Sequence, residues 1–248
     1  MTVRGELLGV PLHGLELVGL QGWFEEALQG HVPRRVYVLT AGALLEAERN
    51  VRLRQLLREG DLSLVGEEGV ARALRWSGGP RLPVLSPREF LPPVLRWLGS
   101  RGGKVFYVGG APGVAERWAE RMRGAFPGLS LVTQDGFGEK WGPENDRILR
   151  RIKGEAPQLL LVGMGSPYQD EYVHAHASLV RVPVCVAVGK VAEEGMEEGE
   201  EVGVRSLRAG GVGERLARWG VGWGEKTREV EGALLLARAL GAVARARG

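Results

Sequence analysis

Short, wholly apolar runs alternate along this chain with stretches whose apolar positions recur at helical spacing. Leu7-Leu-Gly-Val-Pro-Leu-His13 and Leu15 to Leu17 read as short strands around a turn, followed by a helix from about Leu20 to Gln29. The first core strand is expected over Arg35-Val-Tyr-Val-Leu-Thr40. A helix from about Ala43 to Glu59 then places Leu44, Leu45, Val51, Leu53, Leu56 and Leu57 on a buried face. Asp61-Leu-Ser-Leu-Val65 predicts a second strand, ending at Gly66-Glu67-Glu68-Gly69, with a helix from Val70 to Trp76. Pro80 to Pro93, rich in turn residues, reads as a loop. Lys104 to Val108, Leu129 to Thr133, Leu159 to Val162 and Val182 to Val188 supply four more strands, and a helix runs from the Gly109–Gly113 turn to about Gly124. Strands separated by helical patterns of about ten to fifteen residues predict βαβ units. The expected fold is therefore α/β: a Rossmann-like, mostly parallel sheet with helices on both faces, a small N-terminal β-hairpin and a helical C-terminal segment.

One junction stands out. Leu159 to Val162 is too short and too uniformly apolar for a surface strand, so it belongs in a parallel sheet covered on both faces. It runs straight into Gly163-Met-Gly-Ser-Pro-Tyr-Gln-Asp170. Ligands of open α/β sheets bind at the carboxyl ends of strands, which makes Gly163, Gly165, Ser166 and Gln169 candidate binding residues. An ordinary strand-to-helix turn is the competing reading.

Composition narrows the partners. The 248 residues fit one large α/β domain or two small ones. A net charge of +3, with no block of like charge, does not favour nucleic acid as a partner. The lone Cys185 lies in an apolar run, which excludes a disulfide or a cysteine-rich zinc site within the chain. No signal-peptide pattern and no apolar run of about 20 residues is present, so a cytoplasmic location is expected, with the inner membrane face as a candidate station.

Gly109-Gly-Ala-Pro-Gly113 could let backbone N–H groups approach an anion at a helix N-terminus. It is neither GxGxxG nor a P-loop, and a tight turn opened by Pro112 explains it equally well. The missing GxGxxG, with its acidic partner downstream, also disfavours a nicotinamide-dependent oxidoreductase. His174 and His176 would point about 200° apart on a helix, which does not suit a shared metal. The acidic run at Glu193, Glu194, Glu197, Glu198, Glu200 and Glu201 lacks calcium-loop spacing and reads as a solvated loop. No G-x-S-x-G elbow or triad order supports a nucleophilic hydrolase. No metal and no cofactor are expected.

Ordered motifs then carry a resemblance. Phe126-Pro-Gly-Leu-Ser-Leu-Val132, Asp135-Gly-Phe137 and Ala156-Pro-Gln-Leu-Leu-Leu-Val-Gly-Met-Gly-Ser-Pro-Tyr-Gln-Asp170 resemble segments of the WecG/TagA/CpsF family of glycosyltransferases. Val105 to Ala115, Leu8-Gly-Val-Pro11 and Val38-Leu-Thr40 extend the similarity over roughly residues 5 to 190. The resemblance implies a Rossmann-like enzyme that transfers an N-acetylmannosamine-type sugar from a UDP-sugar to a lipid-linked acceptor in cell-wall or surface polysaccharide synthesis. By position, Thr40 matches the family threonine at the first strand end, Gln169 the glutamine of its GSPkQE motif, and Arg81 a pocket arginine. Gln169 would hydrogen-bond sugar or ribose hydroxyls and Arg81 would stabilise the departing diphosphate. Gly109, Gly110, Gly136 and Gly163 would line the nucleotide, with Phe137 beside them.

The chain also departs from the family pattern. On that resemblance, Gly42 stands where family members usually carry an asparagine, and Gly66 where they usually carry the aspartate proposed as general base. The adjacent Glu67 and Glu68 are the candidate catalytic carboxylates, or else solvated turn residues. The alternative to a working transferase is a catalytically lapsed member that binds a sugar nucleotide or a partner protein without turnover. The expected organisation is a core over residues 1–190, an acidic loop over 191–202 and a helical appendage over 203–248 packed on the core. Arg215, Arg218, Arg228, Arg238, Arg245 and Arg247, with Trp219, Trp223 and Leu234 to Leu236, make that appendage a candidate membrane contact, although its glutamates dilute the charge. A homo-oligomer is a candidate assembly.

Overall fold

A computed structural model of the chain describes residues 2–30, 32–110, 112–136, 142–192, 231–239 and 241. Phe137, the acidic run from Glu193 to Glu201, Arg215, Arg218, Trp219, Trp223, Arg228, Arg245 and Arg247 lie outside the described residues.

Eight strands form one sheet: β1 (Val3–Leu7), β2 (Val10–Gly14), β3 (Arg34–Leu39), β4 (Leu62–Val65), β5 (Lys104–Gly109), β6 (Ser130–Gln134), β7 (Leu159–Gly163) and β8 (Val184–Ala187). Their order is β1-β2-β4-β3-β8-β7-β5-β6. The β1–β2 hairpin is antiparallel, and the other pairings are parallel. The carboxyl ends of β2 to β8 therefore share one edge. Residues alternate between two cores: Tyr37, Leu39, Phe106, Leu160 and Cys185 face one, and Val36, Val38, Val105, Leu161 and Val186 the other. Helices α1 (Leu17–Gln29), α5 (Pro87–Gly99) and α6 (Val114–Ala125) cover the second core. Helices α2 (Ala41–Arg49), α3 (Val51–Arg58), α4 (Glu68–Trp76), α7 (Pro143–Glu155) and α8 (Tyr168–Val180) cover the first. A further helix, α9, spans residues 231–239 and inserts Leu235 and Ala239 into that first core.

Three local expectations are corrected. Leu15 to Leu17 is no strand: the hairpin turns at Leu8 and Gly9, both at positive φ, and Leu17 already begins α1. The helix expected from Ala43 to Glu59 is two helices, because Asn50 ends α2 and its Oδ1 accepts the Leu53 N–H at 3.0 Å, opening α3. Pro80 to Pro93 is not all loop, since α5 begins at Pro87. Pro87 suits the first helical turn, and the Ser86 N–H and hydroxyl donate to Glu89 at 2.7 and 2.8 Å. Pro92 and Pro93 each forfeit a helical N–H bond, which burial of Phe90, Leu91, Val94, Leu95 and Leu98 offsets.

Candidate functional site

Residues Leu159 to Val162 are fully buried, and the turn after them stands at the carboxyl edge of the sheet, as the first wall of the place where open α/β sheets bind ligands. Glycines hold this wall together. A Cβ on Gly163 would strike the Tyr107 hydroxyl and lie 2.7 Å from the Gly189 carbonyl; one on Gly109 would strike the Gly163 carbonyl; one on Gly136 would sit 2.8 Å from the Gly109 Cα. The strand ends can approach this closely only without side chains. Gly110 N–H donates to Gly163 O at 3.2 Å, and Gly136 N–H to Gly110 O at 3.1 Å. Gly109, Gly110 and Gly163 are buried, Gly136 and Gly165 half-buried and Ser166 exposed. The first three therefore fix the spacing of the strand ends, while Gly136, Gly165 and Ser166 have surface to offer a ligand.

Gln169 is 3 % exposed, and its Oε1 accepts N–H bonds from Gly165 at 3.2 Å and Gly189 at 3.0 Å. The resemblance implies hydrogen bonds from this side chain to sugar or ribose hydroxyls. Instead its oxygen ties the β7 turn to the β8 turn. Beneath it, Asp170 is buried and accepts the Ser166 hydroxyl at 2.5 Å. Burial pushes the Asp170 carboxyl up to about 7, against the opposing effect of the Ser166 bond. Nothing in the chain's spacing signalled that second function of the GSPxQ segment, since a carboxyl beside a turn reads as solvated.

At the outer end of this wall, Gly113, Glu116, Thr133, Gln134, Asp135 and Arg151 line a concavity of about 220 Å³. The Thr133 hydroxyl donates to Glu116 at 2.5 Å and Arg123 pairs with it at 2.9 Å; together they hold its carboxyl below the usual range.

The second wall stands on β3 and β4. The Thr40 Oγ1 accepts the Ala43 N–H at 3.3 Å, capping α2. Ala41 N–H donates to Glu67 Oε1 at 2.7 Å, so Glu67 reaches from the β4 turn to the same helix terminus. Glu68 is exposed and pairs with Arg75 at 3.5 Å. With Arg75, Leu82 and exposed Arg81 it lines a separate concavity of about 220 Å³. The two glutamates, adjacent in sequence, thus part company, and Arg81 sits with Glu68. Gly66 has no room for a side chain, because a Cβ would meet Val38 Cγ1 at 2.8 Å and the Leu39 carbonyl at 2.9 Å.

One residue here escaped sequence reading. Glu231, at the start of α9, lays its carboxylate against Gly42: a Cβ there would lie 2.8 Å from Glu231 Oε2. No local pattern links positions 42 and 231.

Elsewhere, His174 and His176 diverge as their spacing predicts. His174 Nδ1 meets Arg35 and His176 Nε2 meets Asn145. Among the described residues no three His, Cys, Asp or Glu side chains are grouped to hold a metal ion. Arg238, the one arginine of the suggested membrane contact among the described residues, pairs with Glu48 at 3.6 Å. No described helix is long and apolar enough to cross a membrane.

The family model of the "Glycosyl transferase WecG/TagA/CpsF family" matches residues 5–193. A Bacillus spizizenii protein named N-acetylglucosaminyldiphosphoundecaprenol N-acetyl-beta-D-mannosaminyltransferase is 24% identical over 155 residues, covering 62% of this chain and 58% of its own length. A Staphylococcus aureus protein of the same name is 20% identical over 190 residues, covering 76% of this chain and 74% of that protein.

Proposed function

The chain belongs to the WecG/TagA/CpsF family of glycosyl transferases, and from that membership we propose that it moves a sugar of the N-acetylmannosamine type from a UDP-sugar to a lipid-linked acceptor. The observation that carries this reading is the family match across both walls of the crevice at the strand ends. The nucleotide lies along the β5–β6–β7–β8 wall, where Gly136, Gly165 and Ser166 offer backbone and hydroxyl groups and Gln169 holds two turns in register. Thr40 and the carboxylates beside it face the reacting hydroxyl. Arg81, the cation that the resemblance assigns to the diphosphate, lines the separate concavity beside Glu68.

Transfer with inversion needs little beyond positioning and a proton acceptor. The acceptor hydroxyl attacks the anomeric carbon, the bond to UDP breaks with its electron pair leaving on the diphosphate, and a carboxylate takes the hydroxyl proton. Such a base contributes about 10²–10⁴-fold. Of the two glutamates at the turn, Glu67 stands at the β3–β4 ends and Glu68 is drawn toward Arg75.

The test is UDP release from a panel of UDP-sugars with an acceptor bearing N-acetylglucosamine on a polyprenyl diphosphate. Acceptor-dependent release is the expected result. A second reading, nucleotide binding without turnover, is favoured by Gly66, which admits no carboxylate. UDP binding without release, using an acceptor proven with a related enzyme, would select it; no UDP binding would contradict the sugar-nucleotide site in both readings.

A further inference from the structure

The wall on β3 and β4 carries no carboxylate at Gly66 and has no room for one there without displacing β3. Glu67 lies close by, yet one of its oxygens is committed to the first N–H of α2. A second carboxylate reaches the same spot from the far end of the chain. Helix α9 is anchored by Leu235 and Ala239 in the core and by the Arg238–Glu48 pair. Its start packs so closely on α4 that a Cβ on Gly69 would lie 3.3 Å from the Gly232 Cα and 3.7 Å from Glu67 Oε1. Glu231, half-buried, thereby stands beside both Glu67 and Gly42. Among the described residues it has no hydrogen bond and no ion pair. Gly42 is the complement of this arrangement, because any side chain there would occupy the space of the carboxylate.

We propose that Glu231 is a catalytic residue of this site and the group that takes the acceptor hydroxyl's proton, while Glu67 holds the α2 terminus in place. The inference rests on the transferase reading above. As the acceptor oxygen bonds to the anomeric carbon, its proton passes to Glu231, and the electron pair of the broken bond leaves with UDP.

The experiment compares wild type with Glu231→Gln, Glu231→Ala and Gly42→Ala in acceptor-dependent UDP release, with UDP affinity and thermal unfolding measured alongside. Glu231→Gln should lower kcat by about 10²–10⁴-fold with UDP affinity and Tm unchanged. Gly42→Ala should lower kcat by displacing the carboxylate, and formate should restore part of the turnover to Glu231→Ala, which a structural role for Glu231 would not allow. Turnover by Glu231→Gln within about threefold of wild type would overturn the assignment and leave the transferase reading intact. A fall in Tm that accounts for lost activity, without formate rescue, would also overturn it. Inactive wild type would instead contradict the transferase reading, and this assignment with it.

Discussion

The two walls of the crevice are built on different principles. The β5–β8 wall is backbone against backbone: Gly109, Gly136 and Gly163 let the strand ends touch, and the Gln169 oxygen clamps two turns. The β3–β4 wall is side chain against helix terminus, with Thr40, Glu67 and Glu231 gathered at the start of α2. A wall of packed backbone tolerates almost no substitution. One made of polar side chains around a helix end can redistribute its chemistry among several positions, and the role proposed for Glu231, beside glycines at 42 and 66, is a redistribution of that kind.

The largest effect separating the walls should come from Gly163→Ala. Its Cβ would strike the buried Tyr107 and the Gly189 carbonyl in the turn after β8, so a loss of about 3 kcal/mol in urea unfolding is expected, at the upper end of overpacking costs. A loss below about 0.5 kcal/mol would show that the strand ends are looser than described.

Acid dependence probes the same wall. Asp170 binds its proton up to pH about 7 when folded, whereas an unfolded aspartate releases it near pH 4. Between those values the folded state holds the extra proton, so this group's contribution favours folding most below pH 4 and is lost as pH rises to about 7. Asp170→Asn should flatten that decline in chemical denaturation across pH 4–7; an unchanged slope would mean the carboxyl is not the group responsible.

Gln169→Ala removes the acceptor of two N–H groups and should cost about 2 kcal/mol, together with nucleotide affinity. The smallest effects belong to the other wall. Glu67→Ala should cost about 1 kcal/mol as a lost helix-terminus acceptor. Glu68→Ala should stay within about 0.5 kcal/mol, since its partner Arg75 is also solvent-accessible. Thermal unfolding of the pair would show it, and equal effects would deny that the neighbours have different duties.

What could be read in the sequence follows the same division. Strand β7 and its GSPxQ turn were legible because a buried parallel strand is a continuous apolar run and the ligand edge follows from topology. That Gln169 faces inward was not, because hydrogen bonding to the Gly189 turn depends on β8 lying beside β7. The α2–α3 break hid because Asn50 interrupts an apolar stripe that continues on both sides. Helix α5 hid because three prolines mask a register that packing enforces. Glu231 hid most completely: its neighbour Gly42 is 189 positions away, and only the docking of α9 unites them.

The most direct test of this division of labour is calorimetric titration of UDP into two folded variants. The account predicts that Gln169→Ala loses UDP affinity by about tenfold or more while Glu231→Gln binds UDP as wild type does. Equal losses in both variants, or a loss at Glu231 alone, would contradict a nucleotide-holding wall opposed to a proton-accepting one.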